Sequence, residues 1–256
     1  MTQATVPDVE PLALAIGRAP APPGIGLVLL ATELTAERDL ARLQAEGIAT
    51  YATRIAFENP TTPQTLARMG PRLAETMALL APVAPLAAVY YGCTSGTVTL
   101  GRAALEAAVA ETLPGTPLVT PPHAALAAFD ALGARRIALL APYLPETSAP
   151  MAAWFAGHGV EVVRAACLGI ADDRDIARTD ADTLLAAASL ADHPEAQAVF
   201  LACTALPALA IADRLEARLG KPVVTANQAA LWQLRGLAGR RTPLAGHGRL
   251  LTLPPT

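Results

Sequence analysis

With 256 residues, 53% hydrophobic and only 16% charged, the chain has the composition of a compact folded protein rather than a disordered one. Its formal net charge is −3, and a single lysine (Lys221) among scattered arginines leaves no basic stripe, so no nucleic acid is expected as a partner. No membrane span is expected either, because the longest apolar stretch, residues 77–93, is interrupted by Pro82 and Pro85.

Residues 1–23 are proline-rich and aperiodic, and are expected to form an arm packed on the surface or on a partner subunit of a homo-oligomer. Asp8 and Glu10 stand where a secretory leader would be basic. Residues 25–31 predict a first strand, Thr35 the N-cap of a helix running to about Ala45, and residues 48–55 a second strand. Thr62-Pro63 has the form of an N-cap followed by proline at the first helical position, and that helix is expected to continue towards Leu80. The apolar run 87–91 then predicts a buried parallel strand that stops at Gly92. Cys93-Thr94-Ser95-Gly96-Thr97 follows as a turn, and a helix is expected from Gly101. A strand at Val119 and a helix over 124–132, closed by Gly133, complete this part. From residue 135 the sequence predicts a strand to Tyr143, a helix through Met151 and Phe155, and a strand over 160–166. Asp172-Asp173-Arg174-Asp175 is expected to be a solvated turn; a helix over 183–190, the strand ending at Cys203, a helix containing Trp232 and a Gly/Arg/Pro-rich tail finish the chain.

The chain writes its central unit twice. Val89-Tyr90-Tyr91-Gly92-Cys93-Thr94 recurs 110 residues later as Val199-Phe200-Leu201-Ala202-Cys203-Thr204. Pro117-Leu118-Val119-Thr120 with His123 recurs 105 residues later as Pro222-Val223-Val224-Thr225 with Gln228, and Leu29-Leu30-Ala31 recurs as Leu139-Leu140-Ala141. The expected architecture is therefore α/β: an arm (1–23) and two pseudo-symmetric lobes (24–133 and 134–256), each a parallel sheet flanked by helices. The C-terminal helix is free to cross back onto the first lobe. Ligands in such folds bind at the carboxyl ends of strands, which places Cys93 and Cys203 on opposite walls of one cleft. A thiol at a strand end that opens a helix is also expected to have a lowered pKa and to supply thiolate.

At Cys93-Thr94-Ser95, Ala141-Pro142-Tyr143 and Cys203 the chain resembles the aspartate/glutamate racemase superfamily, and within it the branch of maleate cis–trans isomerase and arylmalonate decarboxylase. Residues 56–63, 146–151 and 172–175 are similar to the ectoine-utilisation proteins of that branch. The resemblance implies a cofactor-independent enzyme acting on a small carboxylate or amino-acid-like molecule; the acidic N-terminus and the uneven cysteine set place the expected location in the cytoplasm. The same resemblance implies Cys93 as nucleophile or base and Cys203 as acid or opposite base. Thr94, Ser95 and Thr204 would hold a substrate anion, to which Tyr143 would donate its hydroxyl. The decarboxylase has glycine in place of the first cysteine; two thiols favour an isomerase or racemase over a lyase, with a non-catalytic binding protein as third reading. Maleate isomerases have asparagine after the first strand, where this chain has Glu33, which implies a substrate with a cationic or amide group at that end.

Other residues carry blander expectations. Cys167 reads as an inert small hydrophobe, and three cysteines form neither an even disulfide set nor a zinc spacing. His123 reads as a helix-start residue, His158, His193 and His247 as surface, and Asn59 and Thr61 as turn and cap with substrate contact as the alternative; near Asp172–Asp175 the resemblance implies an anion- or amine-binding residue.

Overall fold

The computed structural model describes residues 9–83 and 85–255. Residues 1–8 of the expected arm lie outside the described residues. Residues 9–23 carry neither helix nor strand and are exposed, with Val9, Leu12, Leu14 and Ile16 fully in the open, so this stretch does not pack on its own chain.

The first half forms a parallel sheet from β1 (Gly24–Leu30), β2 (Ala49–Ile55), β3 (Ala88–Gly92) and β4 (Leu118–Val119), in the order β2-β1-β3-β4. The second half repeats it with β5 (Arg136–Ala141), β6 (Glu161–Cys167), β7 (Ala198–Leu201) and β8 (Val223–Thr225), in the order β6-β5-β7-β8. The duplication read from the sequence is thus a duplication of topology. The inner strands β1, β3 and β7 are buried along their whole length, which explains why their sequences are unbroken apolar runs and not alternating ones.

Alternate residues of the inner strands serve different cores. Ile25, Leu27, Leu29 and Tyr90 pack with Ile137, Leu139 and Phe200 in one core shared by both halves. Val28, Leu30, Val89 and Tyr91 turn the other way, to a smaller core with Met69 and Met77. The helices Pro121–Leu132 and Ala226–Leu237, which are repeat equivalents, pack against each other between the halves. The second also reaches β3 and β4, and its buried Arg235 grips Glu46 of the first half with two bonds of 2.7 and 2.9 Å. A fork-to-fork pair of this kind fixes direction as well as distance.

Several expected elements differ in detail. Thr62 caps its helix as expected, with Pro63 at the first helical position. That helix stops at Ala67 and resumes only over Leu73–Ala78, because Gly70-Pro71 interrupts the ladder of N–H donors. The helix from Thr35 is Ala36–Leu40 followed by Arg42–Ala45, and the Thr35 side chain does not cap it. The helix after Cys93 begins at once, at Thr94, and ends at Leu100; Gly101 then turns with φ +79° into Arg102–Thr112. Among the described residues, no helix is long and apolar enough to cross a membrane, and no group of three or more His, Cys, Asp or Glu is placed to hold a metal ion.

Candidate active site

The first sulfur is placed by two glycines. A Cβ on Gly92 would lie 2.5 Å from Leu29 Cδ2, and one on Gly96 would lie 2.8 Å from both Cys93 Sγ and Tyr91 Oη. Without side chains there, β3 can press onto β1 and the next helix can close over the sulfur. Cys93 has extended backbone (φ −147°, ψ 112°) and is the N-cap of Thr94–Leu100: its Sγ accepts the Gly96 N–H at 3.2 Å and lies 3.8 Å from Ser95 Oγ. Thr97 donates to the Cys93 carbonyl at 2.7 Å. The neighbouring Thr94 hydroxyl is fully buried and has no partner.

The second sulfur is held differently. Cys203 follows β7 with φ +88°, the one positive φ outside glycine among the described residues. A side chain in that region costs conformational energy and persists where the surroundings impose it. No helix follows directly; Thr204 to Leu206 form bends.

Both thiols are only 4% exposed, and this reverses the expected acidity. Burial pushes Cys93 up to about 12, and Asp173 and Glu33 add to it; the Gly96 N–H and Ser95 act in the opposite direction and lose. Burial likewise raises Cys203 well above the ordinary thiol range, with Asp173 and Glu33 again adding to it and Tyr143 opposing. A two-turn helix offers too little field to offset loss of water around the sulfur. At neutral pH both groups are therefore thiols.

The remaining candidates join the two sulfurs. Tyr143, just past the end of β5, is buried near both thiols, and the two strand ends meet directly where the Thr204 hydroxyl beside Cys203 donates to the Gly92 carbonyl beside Cys93. Burial, followed by the two thiols, keeps the Tyr143 hydroxyl protonated and able to donate. Glu33 lies after β1 with a 2% exposed carboxylate. Its Oε1 accepts the N–H groups of Thr35 (2.6 Å) and Ala36 (2.9 Å), and its Oε2 accepts the Thr204 hydroxyl (2.8 Å). It is therefore Glu33 that caps the helix Ala36–Leu40, while the Thr35 hydroxyl donates across to the Ala205 carbonyl at 2.7 Å. Thr204 also reaches the Gly92 carbonyl at 3.1 Å. All seven residues singled out by sequence come together.

Two more residues lie here: Asp173, in a cluster read as mostly a solvated turn near which the resemblance placed an anion- or amine-binding residue, and Tyr90, which the sequence reading gave no role. Asp172-Asp173-Arg174-Asp175 is not a solvated turn throughout. Asp172 caps a single helical turn, Asp173–Ile176, and Asp173 points inward with only 4% exposure. Its Oδ2 accepts the Thr32 hydroxyl at 2.7 Å and its N–H donates to Asn59 Oδ1 at 3.0 Å. Burial and then Glu33 raise its carboxyl to about 7. The signal was present: Asp173 and Ile176 are three residues apart on one face, and Ile176 is apolar. The second is Tyr90, whose fully buried hydroxyl has no partner and feels Glu33 and both thiols. Its phenol was hidden inside an apolar run.

Asn59 and Thr61 are also more than turn and cap. Asn59 Nδ2 donates to Asp172 at 2.8 Å, the Thr61 N–H to the Ala171 carbonyl at 2.9 Å, and Thr147 to the Thr61 carbonyl at 2.9 Å, which latches the first half onto the second. His123 belongs elsewhere: it bonds Thr120 at 2.7 Å and meets Trp154 edge-on, and burial, then Arg102 and His158, lower it to about 4. Cys167 is exposed at the end of β6 and not a buried hydrophobe.

A family model described as arylmalonate decarboxylase matches residues 99–251, a span that contains Cys203 and begins just past Cys93. The arylmalonate decarboxylase of Bordetella bronchiseptica is 34% identical over 152 residues, 58% of this chain and 63% of that protein, so the match spans less than two thirds of that relative. The maleate isomerase of Nocardia farcinica is 26% identical over 239 residues, 89% of this chain and 94% of that one. For the fold, the structure of a mutant maleate cis–trans isomerase from Nocardia farcinica, with a covalently bound succinylcysteine intermediate, superposes with a TM-score of 0.83 at 24% identity. It covers 90% of this chain and 98% of that one.

Proposed function

The chain belongs to the arylmalonate decarboxylase family, and from that premise we propose that it is a cofactor-independent enzyme acting on a small carboxylic acid through Cys93 and Cys203, as an isomerase or racemase. The observation that carries this reading is the convergence of two buried thiols from equivalent strand ends, joined where Thr204, next to Cys203, donates to the carbonyl of Gly92, next to Cys93. The substrate lies between the sulfurs, with a carboxylate on the hydroxyls of Thr94, Ser95 and Tyr143. Donors fixed before the reaction stabilise an enediolate-like anion without reorganising. Thr204 contributes by holding Glu33, since its hydroxyl is already committed to that carboxylate.

Because both groups rest as thiols, the reaction first needs Cys93 to lose its proton, to solvent before the site closes or to the substrate's own carboxylate. In the racemase route Cys93 as thiolate takes the α-proton, and the Cys203 thiol returns its own proton to the opposite face. In the cis–trans route the thiolate adds to a double bond, the single bond so created rotates, and the thiolate leaves. The succinylcysteine intermediate of the Nocardia farcinica maleate isomerase supports the second route. The likeness of residues 56–63, 146–151 and 172–175 to ectoine-utilisation proteins extends the proposal to ectoine or hydroxyectoine breakdown.

A lyase is the second reading, favoured by one observation: the family model that matches the chain is described as arylmalonate decarboxylase. In that reading Cys203 alone protonates a carbanion left by loss of CO₂. Turnover of malonates, maleate, amino acids and ectoine derivatives in D₂O separates the readings. The isomerase reading expects product with both cysteines required; α-deuterium marks the proton-transfer route, and isomerisation without exchange marks addition. CO₂ release that survives Cys93→Ser selects the lyase, and unchanged turnover in both Cys→Ser variants removes thiol chemistry altogether.

A further inference from the structure

We propose that residues 12–16 add as a strand to the free edge of β6 in a second copy of this chain, laying Leu12, Leu14 and Ile16 along the groove beside Cys167, so that two copies exchange arms.

Half of the exposed large hydrophobic side chains among the described residues lie within one stretch of eight: Val9, Leu12, Leu14 and Ile16, each 73–92% exposed. A concentration of apolar surface of this kind marks a contact site. Leu12-Ala13-Leu14-Ala15-Ile16 alternates large with small, so in an extended chain three large side chains share one face. Residues 17–23 then form a spacer with three prolines before β1 begins at Gly24. A proline-rich spacer is stiff and extended at about 3.1 Å per residue, which gives the arm a reach of about 20 Å from its own sheet.

The acceptor is chosen by elimination among the sheet edges. β4 and β8 are only two and three residues long, and β2 is half-buried, with Pro22, Gln44 and Gly47 around its start. β6 is seven residues long, is the outer strand of its sheet, and exposes Glu161, Arg164, Ala165 and Cys167. Its ladder with β5 is irregular near its start and regular from Arg164 to Cys167, a length that suits Leu12–Ile16. Unpaired N–H and C=O groups along such an edge are a template for another strand. Beside it runs an apolar groove of about 160 Å³, lined by Leu139 and otherwise by small side chains, among them Ala149, Ala165, Ala166 and Cys167. Large side chains on the arm thus meet small ones on the acceptor. Charge sets the direction. Glu10 and Arg18 flank the apolar run, Glu161 and Arg164 lie on β6, and none of the four is in a salt bridge among the described residues. Antiparallel pairing turns Arg18 towards Glu161 and Glu10 towards the Arg164 end, whereas parallel pairing sets like charges together. Each chain carries one arm and one such edge, so reciprocal exchange between two copies satisfies both and closes the assembly.

Cross-linking tests this, because Cys167 is exposed while Cys93 and Cys203 are buried. Leu12→Cys, Ala13→Cys, Leu14→Cys, Ala15→Cys and Ile16→Cys, each oxidised with diamide, are expected to form a disulfide with Cys167 of the partner subunit. Covalent dimer should appear at least about tenfold faster from positions 12, 14 and 16 than from 13 and 15, and not at all once Cys167→Ser is added. By light scattering the wild-type protein is expected to be a dimer and Leu12→Ser/Leu14→Ser/Ile16→Ser a monomer; the single cysteine variants provide the measurement if the triple variant does not fold. A monomeric wild-type protein, a dimer that survives the triple variant, a disulfide formed within one chain, or cross-linking without the alternation overturns the proposal.

Discussion

At the end of β3 the backbone is relaxed and enters a helix directly, with the Cys93 sulfur taking a helix N–H and the next threonine hydroxyl left without a partner. At the end of β7 the backbone is forced to φ +88°, no helix follows directly, and the next threonine hydroxyl is committed to Glu33 of the opposite half. The two ends began as one unit and have divided its tasks. The first leaves a buried hydroxyl donor free; the second is strained, and braces a buried acid. Duplication supplied two sulfurs at matched sites, and divergence of the residues around them made the two walls chemically different.

The largest effect expected from breaking this comparison is on turnover. Cys93→Ser and Cys203→Ser should each lower kcat by about 10²–10⁴-fold, the scale of a lost positioned acid or base. Equal losses mark a two-thiol reaction; a loss confined to Cys203→Ser assigns the chemistry to the second wall alone.

The threonines sharpen the contrast through stability. Thr204→Val strips a donor from buried Glu33 and should cost about 1–3 kcal/mol in chemical denaturation. Thr94→Val removes a hydroxyl that bonds nothing, so stability should hold within about 0.5 kcal/mol while affinity for the bound acid falls. Equal destabilisation by both would erase the division of tasks.

The backbones predict a sign reversal. At residue 203 glycine should be more stable than alanine by about 1 kcal/mol, because only glycine adopts φ +88° without strain. At residue 93, with extended φ, alanine should be the more stable by a similar amount, about 0.5–1 kcal/mol. Thermal melts of the four variants decide it.

The smallest effect concerns another repeat pair, His123 and Gln228. Gln228 forms a capping box with Thr225, and His123 bonds Thr120 in the same place. The folded His123 is lowered to about 4 from an ordinary value near 6.5, so its contribution is complete above about 6.5 and lost as pH falls through 4. His123→Gln should match wild type at pH 8 and, the ring being half exposed, gain only about one or two degrees in Tm near pH 4.

Much of this was legible in the sequence, for a physical reason. Strands buried on both faces have unbroken apolar runs, and a duplicated run repeats its punctuation, so Gly92-Cys93-Thr94 and Ala202-Cys203-Thr204 marked both the sheets and their ends. The thiol pKa was not legible. A helix start argues for thiolate, but the desolvation that overrides it depends on how closely the opposite half covers the sulfur. Which acid of residues 172–175 turns inward was not legible, because three carboxylates in a four-residue segment look alike until one turn of helix buries Asp173. The ties through Asn59, Thr61 and Thr204 were equally hidden, since they join residues 86–171 apart in sequence.

The central claim is that one small molecule sits between the two sulfurs, and a crystal structure of the Cys203→Ser variant with a bound substrate-like acid tests it most directly. The reacting carbon is predicted to lie within about 3–3.5 Å of Cys93 Sγ, with the substituted side chain at position 203 facing it from the other side and a carboxylate on Thr94 and Ser95. A ligand bound outside the space shared by residues 93 and 203, touching neither, would contradict it.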